Sequence, residues 1–160
     1  MKVALDGTPL TLATGGLARY TAELSRALAA QFPSDEFLLL SDQPFPGGAG
    51  PRRGWARRWW TVGLSRELAR GRVDIFHGTN FEVPYLPLIP SVLTLHDLSP
   101  WRDAAWRPAA SRVRRRTPFL VGLGIAGMVI TVSEAVRREA IEWFRIPPGR
   151  VKAIPLAAAP

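Results

Sequence analysis

The chain has 160 residues, 47% hydrophobic and 21% charged, enough for one domain with its own core. Its 21 Lys and Arg outnumber 13 Asp and Glu for a net charge of +8, and its 15 Pro and 14 Gly lie among apolar segments without a repeat, which excludes disordered and collagen-like chains. The absence of cysteine excludes disulfide scaffolds, thiolate metal sites and cysteine nucleophiles.

In chain order, Lys2 to Asp6 is a strand-like apolar stretch that lacks the ordered regions of a secretory signal, so a cytoplasmic protein is the default. Gly16 to Phe32 reads as a helix. Leu17, Tyr20, Leu24, Leu28 and Phe32 recur at three- and four-residue steps, and Arg19 and Glu23 are spaced to pair on the opposite face. Glu36 to Leu40 is a second strand. A helix from about Arg57 to Arg70 then places Trp60, Leu64 and Leu68 inward, and strands follow at Val73 to His77 and Ser91 to His96. A helix covers about Ala109 to Leu123. The apolar run Phe119 to Val132 carries three glycines and falls short of the roughly 20 residues that cross a bilayer. It reads as a helix end, a turn and a buried strand at Met128 to Val132. Ser133 caps a last helix to about Phe144, and Val151 to Ile154 is the sixth strand.

Strands alternating with helices of this length predict right-handed βαβ units: an α/β, Rossmann-like, doubly wound and mostly parallel sheet with helices on both faces. Ligands of such sheets bind beyond the carboxyl ends of the strands, so the residues just after each strand are the candidates. They are Asp6-Gly7-Thr8-Pro9 with Gly15-Gly16 opening the first helix, His77-Gly78-Thr79-Asn80, His96-Asp97, and Ser133-Glu134.

Gly15 and Gly16 can admit a phosphate to backbone N–H groups at the positive end of a helix, or form a plain turn. No G-x-G-x-x-G hugs the first strand and no Walker sequence occurs, so a nicotinamide or flavin cofactor and a P-loop are rejected. His96 beside Asp97 is suited to holding a sugar hydroxyl or a developing charge; His77 has no charged neighbour and the weaker case. Neither histidine shows a metal-ligand spacing, so no metal is expected. Arg52, Arg53, Trp55, Arg57, Arg58 and Trp59 interleave base and aromatic in a pattern suited to an anionic membrane surface or equally to stacking on nucleic-acid bases. The same residues also read as core tryptophans with solvated arginines. Arg112, Arg114, Arg115 and Arg116 form a second basic cluster or the wet side of a helix, and Glu134 and Glu142 read as two solvated glutamates.

Taken together, Lys2 to Asp6 with Gly15 to Tyr20, Val73 to Asn80, Val92 to Leu98 and Ile130 to Glu134 resemble the amino-terminal half of a family 4 type glycosyltransferase, a group with two facing Rossmann-like domains called GT-B. The resemblance covers nearly the whole chain. It implies an acceptor-side domain over residues 1–155, with 156–160 starting an interdomain linker and the carboxy-terminal donor domain absent. It also implies that Gly15 and Gly16 lie by the donor diphosphate and acceptor and that His96 contacts the transferred sugar as the catalytic residue. His77, Asn80, Asp97 and Ser133 would be their binding neighbours, and the Arg and Trp segment from Arg52 to Trp60 would meet the acceptor or the membrane that holds it.

The function implied is retaining, metal-independent transfer from a nucleotide-diphosphate sugar to a saccharide or lipid acceptor, with no further cofactor and with little turnover by the isolated domain. The implied location is cytoplasmic, peripheral at the inner membrane face, with self-association into a homo-oligomer open. The alternative reading is a stand-alone basic module for an anionic membrane or, with less support, nucleic acid.

Overall fold

Apolar stretches bounded by turns become six strands: β1 (Lys2–Asp6), β2 (Glu36–Leu40), β3 (Ile75–Gly78), β4 (Ser91–Leu95), β5 (Met128–Thr131) and β6 (Val151–Ala153). Amphipathic stretches between them become helices α1 (Gly16–Gln31), α2 (Leu64–Gly71), α3 (Ser99–Arg102), α4 (Ser111–Gly122) and α5 (Glu134–Phe144). The computed structural model describes residues 1–12, 15–46, 58–102 and 110–156. All strand pairs are parallel, in the order β2-β1-β3-β4-β5-β6, as expected of an α/β Rossmann-like sheet. The order reverses between β1 and β3, which makes their carboxyl ends the topological switch point. Leu5 is opposite Leu39 on one side and His77 on the other, so β1 and β3 end at the same level.

The core joins Ala4, Phe76, Leu93, Leu95 and Val129 of the sheet to Trp59, Trp60, Leu64, Leu68, Leu120 and Val121. Phe76, Leu64, Leu68, Leu93 and Leu95 are fully enclosed, each worth about 1.5–3 kcal/mol of burial. Trp59 and Trp60 open the second helical segment in a wide π-type turn, Trp59–Gly63, and only 3% and 5% of their surfaces are exposed. Trp59 is therefore a core anchor and is withdrawn from the expected membrane or acceptor surface. Two large rings save more free energy in the core than at a wet rim.

Helix α1 departs from its apolar pattern. Its one fully buried residue is Thr21, Leu17, Tyr20, Leu24 and Leu28 are half-buried, and Phe32 lies past the helix end, exposed. Glu23 pairs with Arg26 at 2.7 Å, one helical step along, and not with Arg19.

Helix α4 contains Pro118, which has no N–H for the carbonyl of Arg114 four residues back. The indole Nε1 of Trp101 donates to that carbonyl at 3.2 Å instead. The run after Phe119 does split into a helix end, a turn and β5. No helix among the described residues is long and apolar enough to cross a membrane.

Candidate functional site

At the carboxyl end of β1, Asp6 is 2% exposed, and one carboxylate oxygen accepts the N–H of Thr8 at 3.0 Å. Burial pushes its carboxyl up from 3.8 to about 7, with that hydrogen bond holding it back. The neighbouring Thr79, fully buried just after β3, donates its hydroxyl to the Asp6 carbonyl at 2.7 Å and accepts from Thr21 Oγ1 of α1 at 3.2 Å. Three elements are thereby tied at the switch point by one threonine. Gly78 is required by close packing: a Cβ there would overlap the carbonyl oxygen of Glu82.

His96 follows β4 and is half-buried. Its Nε2 lies 2.8 Å from the carbonyl oxygen of Thr79. A carbonyl can only accept, so Nε2 carries the proton, and in the neutral ring Nδ1 is the one acceptor. Burial holds the ring below the usual histidine range, against the opposing pull of the Thr79 carbonyl and the Asp97 charge. The imidazole is thus neutral near pH 7 and suited to accept a hydrogen bond from a hydroxyl at Nδ1. Rings flank it on two sides: Tyr20 edge-on at 4.7 Å between centroids, and Phe81 at 6.1 Å.

His77 plays a different part. It lies within β3, 8% exposed, with Nε2 2.8 Å from Thr94 Oγ1, and Tyr20 Oη is 3.2 Å from the same hydroxyl. Burial, helped by the nearby His96, pushes its imidazole down to about 4, so it stays uncharged. His77 is a satisfied core histidine bridging the sheet to α1.

The remaining expected residues separate. Gly15 and Gly16 are exposed at the start of α1, Gly15 at φ 139 with no side chain capping the helix, and a Cβ on either would meet nothing within 4 Å. Asn80 stands beside Thr79 with a buried Oδ1 that has no partner among the described residues. Asp97 bonds the N–H and hydroxyl of Ser99 at 2.7 and 2.6 Å, opening α3. Its influence on the imidazole is through charge alone. Ser133 caps α5, its hydroxyl accepting the N–H of Val136 at 3.2 Å.

Arg58 is exposed at the head of the π-type turn, whereas Arg52, Arg53, Trp55 and Arg57 lie outside the described residues. On α4, Arg112 reaches Glu82 at 2.8 Å and Arg116 lies over the ring of Tyr85 at 5.1 Å. Glu134 and Glu142 are both exposed, and Glu134 pairs with Arg137. No group of three or more His, Asp or Glu among the described residues is placed to hold a metal.

Sequence reasoning placed Thr79 at a strand end without a role and gave none to Tyr20, Phe81 or Thr94 around His96. Thr94 offered a signal, as a hydroxyl between Leu93 and Leu95 in a buried strand. The arrangement brings a neutral imidazole, a buried carboxyl and a glycine-opened helix to one end of a parallel sheet.

Comparison with curated proteins finds no match. The model of Glycosyltransferase Family 4 matches residues 14–158, a span that takes in the glycine pair, both histidines and every strand after β1. The chain therefore belongs to Glycosyltransferase Family 4, and its function is of the glycosyltransferase type.

Proposed function

We propose that this chain is the acceptor-side domain of a retaining transferase that takes a sugar from a nucleotide-diphosphate sugar. The reading rests most on His96, a neutral imidazole beyond a strand end whose Nε2–H is spent on the Thr79 carbonyl and whose Nδ1 is the acceptor for a ligand hydroxyl. In the reaction the bond from sugar C1 to the diphosphate oxygen breaks and the acceptor oxygen bonds to C1 on the same face. The acceptor's proton leaves with the diphosphate.

His96 Nδ1 would fix the sugar by a hydroxyl, and the backbone at Gly15 and Gly16 would stabilise charge building on the leaving diphosphate. A second domain closing over this end would exclude water and align the two substrates. The half-buried Asn80, next to Thr79, would offer its side-chain amide to the acceptor. The protein would act in glycan or lipid-linked saccharide synthesis, with anionic headgroups as the partner of its +8 charge.

The test uses the product of the complete gene with a panel of uridine, guanosine and adenosine diphosphate sugars, reading nucleotide diphosphate release and the anomeric configuration of the product. Release with at least one donor and retention at C1 are expected. Inversion would overturn the stereochemical part. Release with none, together with vesicle binding that falls steeply with salt and does not need His96, would favour the stand-alone basic module.

A further inference from the structure

We propose that Phe81 is a positioning residue for His96, itself set from behind by Thr117 and Trp101. The proposal rests on the reading that His96 touches the sugar. Phe81 has φ +60, a left-handed backbone that a bulky residue adopts only where the surroundings impose it. Both of its peptide groups are pinned: its N–H donates to the Thr94 carbonyl at 3.2 Å, and its carbonyl accepts the hydroxyl of the fully buried Thr117 at 2.7 Å.

Two residues earlier, the Thr79 carbonyl takes the Nε2–H of His96. The turn at Phe81 therefore holds the carbonyl that fixes the tautomer within the same short segment as the ring that covers it. Phe81 is only 9% exposed, and its ring meets His96 on one side and Trp101 at 6.0 Å on the other. Trp101 is in turn held by Phe144 at 5.0 Å and by the Arg114 carbonyl that Pro118 leaves without a helical donor. A continuous row of rings thus runs from Tyr20 through His96, Phe81 and Trp101 to Phe144. Its far end is fastened to α4 and α5. Phe81 belongs to the buried core, Trp101 and Phe144 pack against that core, and together these contacts leave the His96 ring one orientation.

The test reads the imidazole itself. His77 and His96 are the only histidines, so a ring-nitrogen NMR spectrum of the chain contains two imidazoles, told apart by His96→Asn. In the wild type His96 is expected as a single Nε2–H tautomer, and an Nδ1–H or averaged signal would overturn the proposal outright. In Phe81→Gly, which keeps the left-handed backbone accessible and removes the ring, His96 is expected to average between tautomers and to titrate at higher pH. Phe81→Tyr is expected to restore the wild-type pattern.

Thr117→Val keeps the side-chain shape and removes one hydrogen bond. It is expected to move His96 in the same direction and decides the matter if the glycine variant does not fold. An unchanged His96 signal in a folded variant, with the His77 signals intact, would overturn the proposal. A sharp Nε2–H tautomer in a protein whose complete gene product releases no nucleotide would refute the transferase reading and leave the positioning of the ring standing.

Discussion

Burial shifts Asp6 and His77 in opposite directions across the same pH range, so their contributions to stability oppose each other and the pH dependence of folding tests the switch point. Burial raises the Asp6 carboxyl from 3.8 to about 7. The folded chain then binds a proton that the unfolded chain has released, so stability is full below pH 3.8 and falls as pH rises through about 7. Between about pH 5 and about pH 8 this amounts to about 3 kcal/mol, at about 1.4 kcal/mol per pKa unit.

His77 is lowered from 6.5 to about 4, so the unfolded chain binds the extra proton and stability is lost as pH falls through that window. Over the same interval His77 returns about 2 kcal/mol as pH rises. Glu82, raised chiefly by burial, adds to the sense of Asp6, and His96, lowered by burial, adds to that of His77. The wild-type profile is therefore shallow because the opposed titrations largely offset each other. Asp6→Asn retains an oxygen for the Thr8 N–H and removes the titration. Urea denaturation of both proteins at about pH 5 and about pH 8 should show the variant gaining about 3 kcal/mol more on the wild type at the higher pH. A difference between the two proteins that is the same at both pH values would show that Asp6 is charged throughout and refute the account of its burial.

Two further outcomes follow from packing. Gly78→Ala would drive a Cβ into the Glu82 carbonyl, which is backbone and cannot swing aside, so a loss of about 3 kcal/mol or more is expected in the same denaturation assay. Trp59→Ala should cost about 3–5 kcal/mol and leave the salt dependence of binding to anionic vesicles unchanged, because the ring is in the core. Loss of vesicle binding at unchanged stability would return Trp59 to the surface.

The sheet was legible in the sequence because each strand is a short apolar run closed by a turn residue, and Lys2–Asp6 and Glu36–Leu40 match residue for residue. Helix α5 was equally clear, since Ser133 is both a capping residue and the hinge from strand to helix. That the strands are parallel follows from the helical crossovers, and with it that the site lies beyond their carboxyl ends; their order β2-β1-β3-β4-β5-β6 does not.

What was hidden depends on contacts distant in sequence. Asp97 looks like a partner of His96 because it is adjacent, yet its carboxylate is claimed by Ser99 two residues on. Trp59 and Arg58 share one basic-aromatic pattern, and only the turn geometry sends one inward and the other to solvent. Phe81 offers no signal at all: its left-handed backbone is imposed by Thr94 and Thr117, which lie 13 and 36 residues away.

The central claim is that His96 serves sugar transfer through this strand-end site, and the most direct measurement compares His96→Ala with the wild type in the product of the complete gene. Initial rates of transfer from the accepted nucleotide-diphosphate sugar would be set beside thermal melting of both proteins. The account predicts a rate lower by about 100-fold or more with melting little changed, since the ring is half-buried and spends one hydrogen bond on Thr79. An equal rate in a folded variant would contradict it.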